Sequence, residues 1–187
     1  MRPRVYGEII VTGFQPFLPA TVPPSWVEVK DGNDTARALF DQHYSRYRYA
    51  DGRRPLLFVG PGEKMVLLWP DARAVFVWRK FKSADLAGQE GVNCAIFRNE
   101  GAGIASDLIR AAHTAAWERW PGARFYTYVN PRRVQRKRQP GRCFLKAGWR
   151  YVRDAQGKPR LTKKRRFLIL EMLPEWSSEY KRGLSPA

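Results

Sequence analysis

The chain has 187 residues, of which 44% are apolar and 13% aromatic, so it can build the packed core of one domain and is not a disordered chain. Its 34 Lys and Arg against 17 Asp and Glu give a formal net charge of +17, whereas a small soluble domain normally carries about 2–8 in magnitude. This excess favours a polyanionic partner, above all nucleic acid, over the simpler alternative of a solvated basic surface without a dedicated partner.

Strands dominate the predicted elements of the N-terminal half. A strand over residues 5–12 is followed by a Pro-rich loop over 15–32. Asn33, Asp34 and Thr35 can cap a helix that runs to residue 47, with apolar residues on one side at a spacing of three or four. Three more strands are predicted over 56–60, 64–69 and 74–81.

The C-terminal half predicts a strand–helix–strand unit and a closing hairpin. A strand over 92–97 leads through a glycine-containing turn into a helix over 102–119, whose small apolar residues suit packing on a sheet. The next strand, over 124–130, is followed by a basic loop over 131–141. A short helix from Cys143 to Gly148, strands over 149–152 and 166–173, and an irregular tail over 174–187 complete the predictions.

The turn between the strand over 92–97 and the following helix is the most informative segment. The first amides of a helix lack internal partners and carry partial positive charge, so a pyrophosphate can bind there. Gly101 and Gly103 would let the backbone approach the phosphates without a Cβ in the way. The alternative is an ordinary turn before a core helix.

Two motifs resemble the GNAT superfamily of acyltransferases. Arg98-x-x-Gly101-x-Gly103 is similar to its R/Q-x-x-G-x-G/A signature, and residues 143–149 resemble its second motif, a short helix that ends in glycine and an aromatic residue. The resemblance covers about residues 34–173 and implies an α/β (α+β) fold with a central mixed, mostly antiparallel sheet flanked by helices. The expected organisation is one GNAT-like domain over 1–173 and a tail over 174–187.

The same resemblance implies acetyl-CoA or a related acyl-CoA as acyl donor. The strand over 92–97 would bulge and splay from the strand over 124–130, and the pantetheine arm would lie in that gap against the backbone of Ile96 and Arg98. The amides from Gly101 to Ser106 would meet the pyrophosphate. The full expected set of cofactor-binding residues is Ile96, Phe97, Arg98, Asn99, Gly101, Ala102, Gly103, Ile104, Ala105 and Ser106.

Further phrases resemble the Mom-like family of phage DNA-modification proteins, which are GNAT-like proteins that alter bases in phage DNA and so block restriction enzymes. They are Gln42-His43-Tyr44-Ser45, Cys94-x-x-Phe97-Arg98-Asn99-Glu100-Gly101, Tyr126-Thr127-Tyr128-Val129-Asn130-Pro131 and Gly141-x-Cys143-Phe144. This resemblance implies an acyltransferase for a nucleobase amine in phage DNA. The net positive charge fits that substrate and would be unusual for a small-molecule acetyltransferase.

The chain departs from the GNAT pattern at the general acid. Many GNAT enzymes carry a tyrosine four residues before the glycine of the second motif, and this chain has Phe144 there. Cys143 is one possible substitute. His43, Tyr44 and Ser45 are the other, since histidine can serve as a general base and Tyr44 could donate to a leaving thiolate; the alternative is an ordinary helix face. Asn130 could orient the acceptor or bind pantetheine, or simply form the turn before Pro131.

A strongly basic segment follows the predicted strand over 124–130. Residues 132–166 contain fifteen Lys and Arg and a single acid, Asp154. The cations of the loop can neutralise phosphates and set DNA in register, or remain solvated, or contact coenzyme phosphates. The expected DNA-binding residues are Arg132, Arg133, Arg136, Lys137 and Arg138. Four aromatic residues are candidates for stacking an extruded base, although most aromatics are expected to lie in the core: Tyr47, Tyr49, Trp149 and Tyr151.

Two other functions remain open beside the modification of phage DNA. One is an acetyltransferase for a protein or small-molecule amine, which predicts no tight, salt-dependent DNA binding. The other is a non-catalytic DNA-binding module on a GNAT fold, which predicts DNA binding without coenzyme binding.

The expected compartment follows from the cysteines and from the absence of long apolar runs. The sequence contains no stretch of 18 apolar residues, so no membrane span is expected. It has no apolar segment near the N-terminus, so no secretory signal is expected either. Cys94 and Cys143 form no CxxC pair, which predicts free thiols in a cytoplasm, that of the host cell if the chain is phage-encoded. No metal site is expected, because no second ligand stands at a suitable spacing from His43.

Overall fold

A seven-stranded sheet organises the part of the chain that the computed structural model describes, residues 25–46, 49–134, 138–164 and 166–177. The spatial order is β1-β2-β3-β4-β5-β7-β6, and every neighbouring pair is antiparallel except β4 and β5, which are parallel. The strands are β1 (Val27–Val29), β2 (Glu63–Leu68), β3 (Ala74–Lys80), β4 (Val92–Asn99), β5 (Phe125–Val129), β6 (Arg150–Tyr151) and β7 (Leu168–Met172).

Three α-helices in the described residues cover the sheet: α1 (Asp34–Asp41), α2 (Ala105–Arg119) and α3 (Arg142–Lys146). Asn33 caps α1, because its side chain accepts the Ala36 amide. Gly141 precedes α3 with φ +73°, and a Cβ there would lie 2.9 Å from Leu170 Cδ2, so this position requires glycine. Short 3₁₀ helices occupy Pro131–Arg133 and Pro174–Trp176. Of the helices described, none has the length and apolarity needed to cross a bilayer.

Alternation along the strands divides the core between the two faces of the sheet. On β3, Val75 and Val77 pack under α1 with Leu39 and Ile96. The intervening residues, Phe76 and Trp78, lie in a larger cluster beneath α2 and α3. Trp78 also donates from its indole to the Ala112 carbonyl of α2 at 3.1 Å. Because both faces are covered, β3 is apolar along its whole buried length.

The α+β class and the mixed, mostly antiparallel sheet with helices on both faces confirm the predicted fold at that level. Two element predictions were wrong. Residues 56–60 form no strand, because the Phe58 and Val59 amides donate to the Asp31 carboxylate instead of to a neighbouring strand. Residues 27–29, predicted as loop, form β1 at the edge of the sheet.

Helix α1 is shorter than predicted, since it ends at Asp41 and not at residue 47. The chain turns there because Arg98 of β4 donates to the Gln42 carbonyl, which a longer helix would use internally. Helix α2 begins at Ala105 and not at 102, because residues 99–104 form a separate turn. The predicted strand over 5–12 lies outside the described residues.

Candidate active site

A wedge-shaped gap opens between β4 and β5, and we call it the β4–β5 gap. The two parallel strands pair only from Val92–Phe125 to Cys94–Thr127. Beyond that point β4 continues to Asn99 beside β3, while β5 continues to Val129 beside β7. An extra residue in β4, Ala95, bulges against β3 where the splay begins. The bulge and the splay are therefore both present, as the GNAT resemblance implied.

Asn99 builds the turn at the end of β4. Its side-chain oxygen accepts the amides of Gly101 at 3.1 Å and Ala102 at 2.8 Å, and its amide nitrogen donates to the Gly103 carbonyl at 2.9 Å. Gly101 has φ +86°, a conformation that favours glycine. The Gly101 and Ala102 amides are therefore already occupied. The predicted anion-binding set, Gly101 to Ser106, has to be corrected to the four residues from Gly103 to Ser106.

The N-terminus of α2 is open. Ile104 occupies the N-cap position without a side-chain cap, and it is 68% exposed. Within the described residues, no acceptor is bonded to the amides of Gly103, Ile104, Ala105 or Ser106. A Cβ at Gly103 would meet nothing closer than Leu108 Cδ2 at 3.9 Å, so the packing of the chain does not require glycine there. The open amides and the space above Gly103 suit an anion.

A cation beside this turn was not predicted from the sequence. Arg73 lies in the β2–β3 turn, and its Nη1 is 4.0 Å from the position that a Gly101 Cβ would take. The Arg73 carbonyl accepts the Glu100 amide at 2.7 Å, which fixes the two turns together. Arg73 lies beside Gly101 because Ala74 of β3 pairs with Asn99 of β4. The glycine motif does not reveal this strand register, so the sequence did not predict the contact.

The signature arginine, Arg98, serves a structural contact in this arrangement. Its guanidinium donates to the backbone and side-chain oxygens of Gln42 at 2.6 and 3.2 Å, and it pairs with Glu100 at 2.5 Å. It therefore ties the end of α1 to β4. The backbone of residues 96–98 pairs only with β3 among the described strands, so its gap side remains available to an extended ligand. Ile96 is buried under α1, and Phe97 packs against Phe76 on the opposite face.

Tyr44 lies just beyond the end of α1, beside the β4–β5 gap. Burial raises the pKa of its hydroxyl, the Asn130 backbone amide opposes this shift, and the thiols of Cys94 and Cys143 add to it. Those interactions place the hydroxyl between β4, the end of β5 and α3. The residue as a whole is 48% exposed, so one side of the ring still faces solvent. The hydroxyl is therefore uncharged at neutral pH, and Tyr44 is the candidate proton donor beside the gap.

His43 has a low pKa in this environment. Burial and, to a lesser degree, the Arg98 guanidinium lower the pKa of His43 from 6.5 to about 4. Its Nδ1 lies 2.8 Å from the Ser45 hydroxyl and accepts the Ser45 amide at 3.2 Å, so the proton of the neutral ring sits on Nε2. The imidazole is 4.5 Å from the Tyr44 ring. At neutral pH this ring is a weak proton acceptor, which points to Tyr44 as the stronger candidate of the pair.

The other candidate catalytic groups are Asn130 and Cys143, and each is constrained by its surroundings. The Asn130 side chain accepts the Arg132 amide at 3.0 Å and caps the 3₁₀ helix, as the turn interpretation predicted. Burial raises the pKa of Cys143, although the amides at the start of α3 oppose this, and it raises that of Cys94 well above its usual value. Both thiols are therefore protonated at neutral pH. Phe144 packs against Phe97 and Trp149, so the usual acid position is apolar core.

The predicted DNA-binding loop begins where β5 ends. Arg132, Arg133 and Arg138 are exposed, and within the described residues none of them forms an ion pair. Arg136 and Lys137 lie outside the described residues. Arg133 is near enough to Tyr44 to lower the pKa of its hydroxyl. The loop therefore places cations at the mouth of the β4–β5 gap.

The candidate base-stacking residues differ in their burial and contacts. Trp149 is buried and donates to His113 at 2.7 Å, so its assignment as a base-stacking residue was wrong. Tyr151 donates to the Pro140 carbonyl at 2.5 Å, and the Arg53 guanidinium lies 4.2 Å above the Tyr49 ring. Tyr47 lies outside the described residues.

Comparison of the chain with protein-family models, with curated proteins and with solved structures finds no match. Among the described residues, no group of three or more His, Cys, Asp or Glu could hold a metal ion. The functional assignment therefore depends on the geometry of the gap, the open amides and the surrounding cations.

Proposed function

We propose that this protein is a GNAT-like acyltransferase that uses acetyl-CoA or a related acyl-CoA to modify a nucleobase amine in phage DNA and so protects that DNA from restriction. The observation that carries the proposal is the β4–β5 gap, which leads from unpaired β4 backbone directly to the open N-terminus of α2. An extended donor that ends in a pyrophosphate matches both parts. Its thioester would then lie beside Tyr44.

Each part of the chain has a distinct task in this proposal. The acyl-CoA supplies an activated acyl group as a thioester. The amides of Gly103 to Ser106 hold the pyrophosphate, and Arg73, which also pairs with Asp71 at 2.8 Å, lies near Gly101 in the preceding turn. When the substrate amine is acylated, a C–N bond forms, the C–S bond breaks, and the amine loses a proton. Tyr44 donates a proton to the departing sulfur, while water near the exposed side of its ring accepts the proton of the amine and returns a proton to the tyrosinate.

The nucleic-acid part of the proposal is supported by the charge at the mouth of the gap. Arg132 and Arg133 follow β5 directly and are exposed without ion-pair partners among the described residues. A polyanion held there would present its bases to Tyr44. A neutral small-molecule amine would gain nothing from this charge.

One observation favours a second candidate, a non-catalytic DNA-binding module on the same fold. Phe144 fills the usual acid position with a buried ring, so the standard proton donor is absent. This candidate predicts DNA binding without affinity for a coenzyme. A titration of the protein with coenzyme therefore separates the two functions.

The test is calorimetric titration of the protein with CoA and acetyl-CoA, comparing wild type with Gly103→Asp. The substitution places a carboxylate at the four open amides, and it leaves the fold intact because the added Cβ has room and the φ of residue 103 is not left-handed. We expect binding to weaken more than tenfold, at least about 1.4 kcal/mol.

Gly103→Asn is the matched control, because it has nearly the same size and no charge. We expect it to keep most of the wild-type affinity. Equal affinity of wild type and Gly103→Asp would refute this placement of the pyrophosphate. Absence of coenzyme binding to the wild type, with DNA binding retained, would establish the non-catalytic alternative.

A further inference from the structure

A second basic segment precedes β7 at the end of the sheet where the β4–β5 gap opens, and we call its described residues, 162–164, 166 and 167, the Thr162–Phe167 turn. Leu161 bridges to Leu168, and Leu168 also pairs with Val129 at the end of β5. The turn therefore projects from the same end of the sheet at which β5 gives way to Pro131–Arg133. That end is also where β4 and β5 splay apart. The position follows from strand register alone and was not predicted from the sequence.

Three hydrogen bonds join the described residues at the two ends of the turn. The Thr162 amide donates to the Phe167 carbonyl at 2.9 Å, and the Phe167 amide donates back to the Thr162 hydroxyl at 3.0 Å. The Arg166 amide closes the turn on the Thr162 carbonyl at 3.0 Å. Arg166 has φ +56°, in the left-handed region where glycine or asparagine is the usual occupant. A cation therefore stands at a position that local conformation alone would give to a neutral residue.

Within the described residues, no acid forms an ion pair with the cations of this turn. Lys163, Lys164 and Arg166 are all exposed. Asp154 is the single acid between residues 132 and 166. Its Oδ1 accepts the amides of Gln156 and Lys158 and so caps its own turn. Like charges held together in this way repel each other, and a polyanion relieves the repulsion.

We infer that the Thr162–Phe167 turn is a contact for the phosphate backbone of nucleic acid. Together with Arg132 and Arg133 it would hold the polyanion at the end of the sheet where β5 ends and the β4–β5 gap opens. The identification of the nucleic acid as DNA rests on the proposed function. The contact itself depends on charge and position, and it carries no base specificity.

The experiment measures binding of the full chain to a fluorescent duplex of random sequence by anisotropy, over a series of salt concentrations. The test variant is Lys163→Gln/Lys164→Gln. The matched control is Lys30→Gln/Lys82→Gln, which removes two exposed lysines beyond Val29 and Lys80, at the opposite end of the sheet. Both variants lose two positive charges, so they share any effect of net charge.

Each phosphate contact contributes about 0.9 to the slope of log affinity against log salt on duplex DNA. We expect the slope of the test variant to fall by about 1.8, so that between about 50 and 200 mM salt it loses about 12-fold less affinity than wild type. The control should keep the wild-type slope. Arg166→Asn, which suits the left-handed position, should lower the slope by about 0.9 without changing the melting temperature.

Three results overturn the inference. They are a test variant with the wild-type slope, equal loss in test and control variants, and a wild type that binds no DNA. The calorimetric titration with acetyl-CoA separates this inference from the proposed function. Coenzyme binding with an unchanged slope retains the acyltransferase and removes this contact, whereas a reduced slope without coenzyme binding retains the contact and removes the acyltransferase.

Discussion

The low pKa of His43 predicts a specific dependence of stability on pH. The folded protein holds this pKa at about 4, below the 6.5 of the unfolded chain. Between these values the unfolded state binds a proton that the folded state does not, so the free energy of unfolding falls as the pH is lowered. The stabilising contribution is complete above pH 6.5 and is lost as the pH falls through about 4.

The size of the effect follows from the two pKa values. Between about pH 7 and about pH 4.5 the histidine should cost about 2 kcal/mol of unfolding free energy, and somewhat less to the extent that solvent screens the ring. His43→Asn should remove this part of the pH dependence. The asparagine oxygen can still accept the Ser45 amide that His43 accepts, but the side chain does not titrate in this range.

Urea unfolding of wild type and His43→Asn at the two pH values measures the difference. Ser45→Ala is the control, because it removes the hydroxyl at 2.8 Å from His43 and keeps the imidazole. It should retain the wild-type pH dependence. If wild type and His43→Asn lose the same stability on acidification, the ring is more accessible to protons than its surroundings indicate, and its role as a general base regains support.

Two further predictions concern the chemistry and the substrate. Tyr44→Phe, which removes only the hydroxyl, should lower the accumulation of modified nucleoside at least about 10²-fold, with coenzyme affinity and melting temperature near wild type. Mass spectrometry of nucleosides from expressing cells measures the accumulation. An unchanged rate would assign the role of proton donor to Cys143. Arg132→Gln/Arg133→Gln should reduce the salt slope of DNA binding by about 1.8 in the same anisotropy assay, and an unchanged slope would exclude the 3₁₀ helix after β5 from the DNA contact.

Elements with long apolar patterns were readable from the sequence. Strands β2 and β3 and helix α2 have long apolar patterns, and each was predicted to within a few residues. The turn after β4 was readable because glycines and a following apolar helix pattern occur together. In these segments local propensity and tertiary packing require the same residue types.

Two of the misses occurred where a distant side chain decides the backbone conformation, and a third where a local side chain occupies backbone amides. Asp31 accepts two amides of residues 56–60, an apolar run that otherwise fits a strand. Arg98 reaches Gln42 and ends α1, although the sequence continues with residues compatible with a helix. Asn99 occupies two amides that the glycine motif seemed to leave open for phosphate. The Asp31 and Arg98 contacts have no signature in the local sequence, because the fold brings each partner from a distance, whereas the Asn99 contacts form a local turn that asparagine two residues before glycine can predict.

The single parallel pair in the sheet explains why the parts of the candidate site meet at one end. Because β4 and β5 run in the same direction, the turn before α2 and the loop after β5 leave the sheet side by side. Strand β7 runs antiparallel to β5, so the turn that precedes β7 arrives at that same end. Open helix amides, Tyr44 and two basic segments are thereby gathered around one gap, although they are distant in sequence. An antiparallel arrangement of β4 and β5 would have placed the proposed coenzyme and DNA contacts at opposite ends of the sheet.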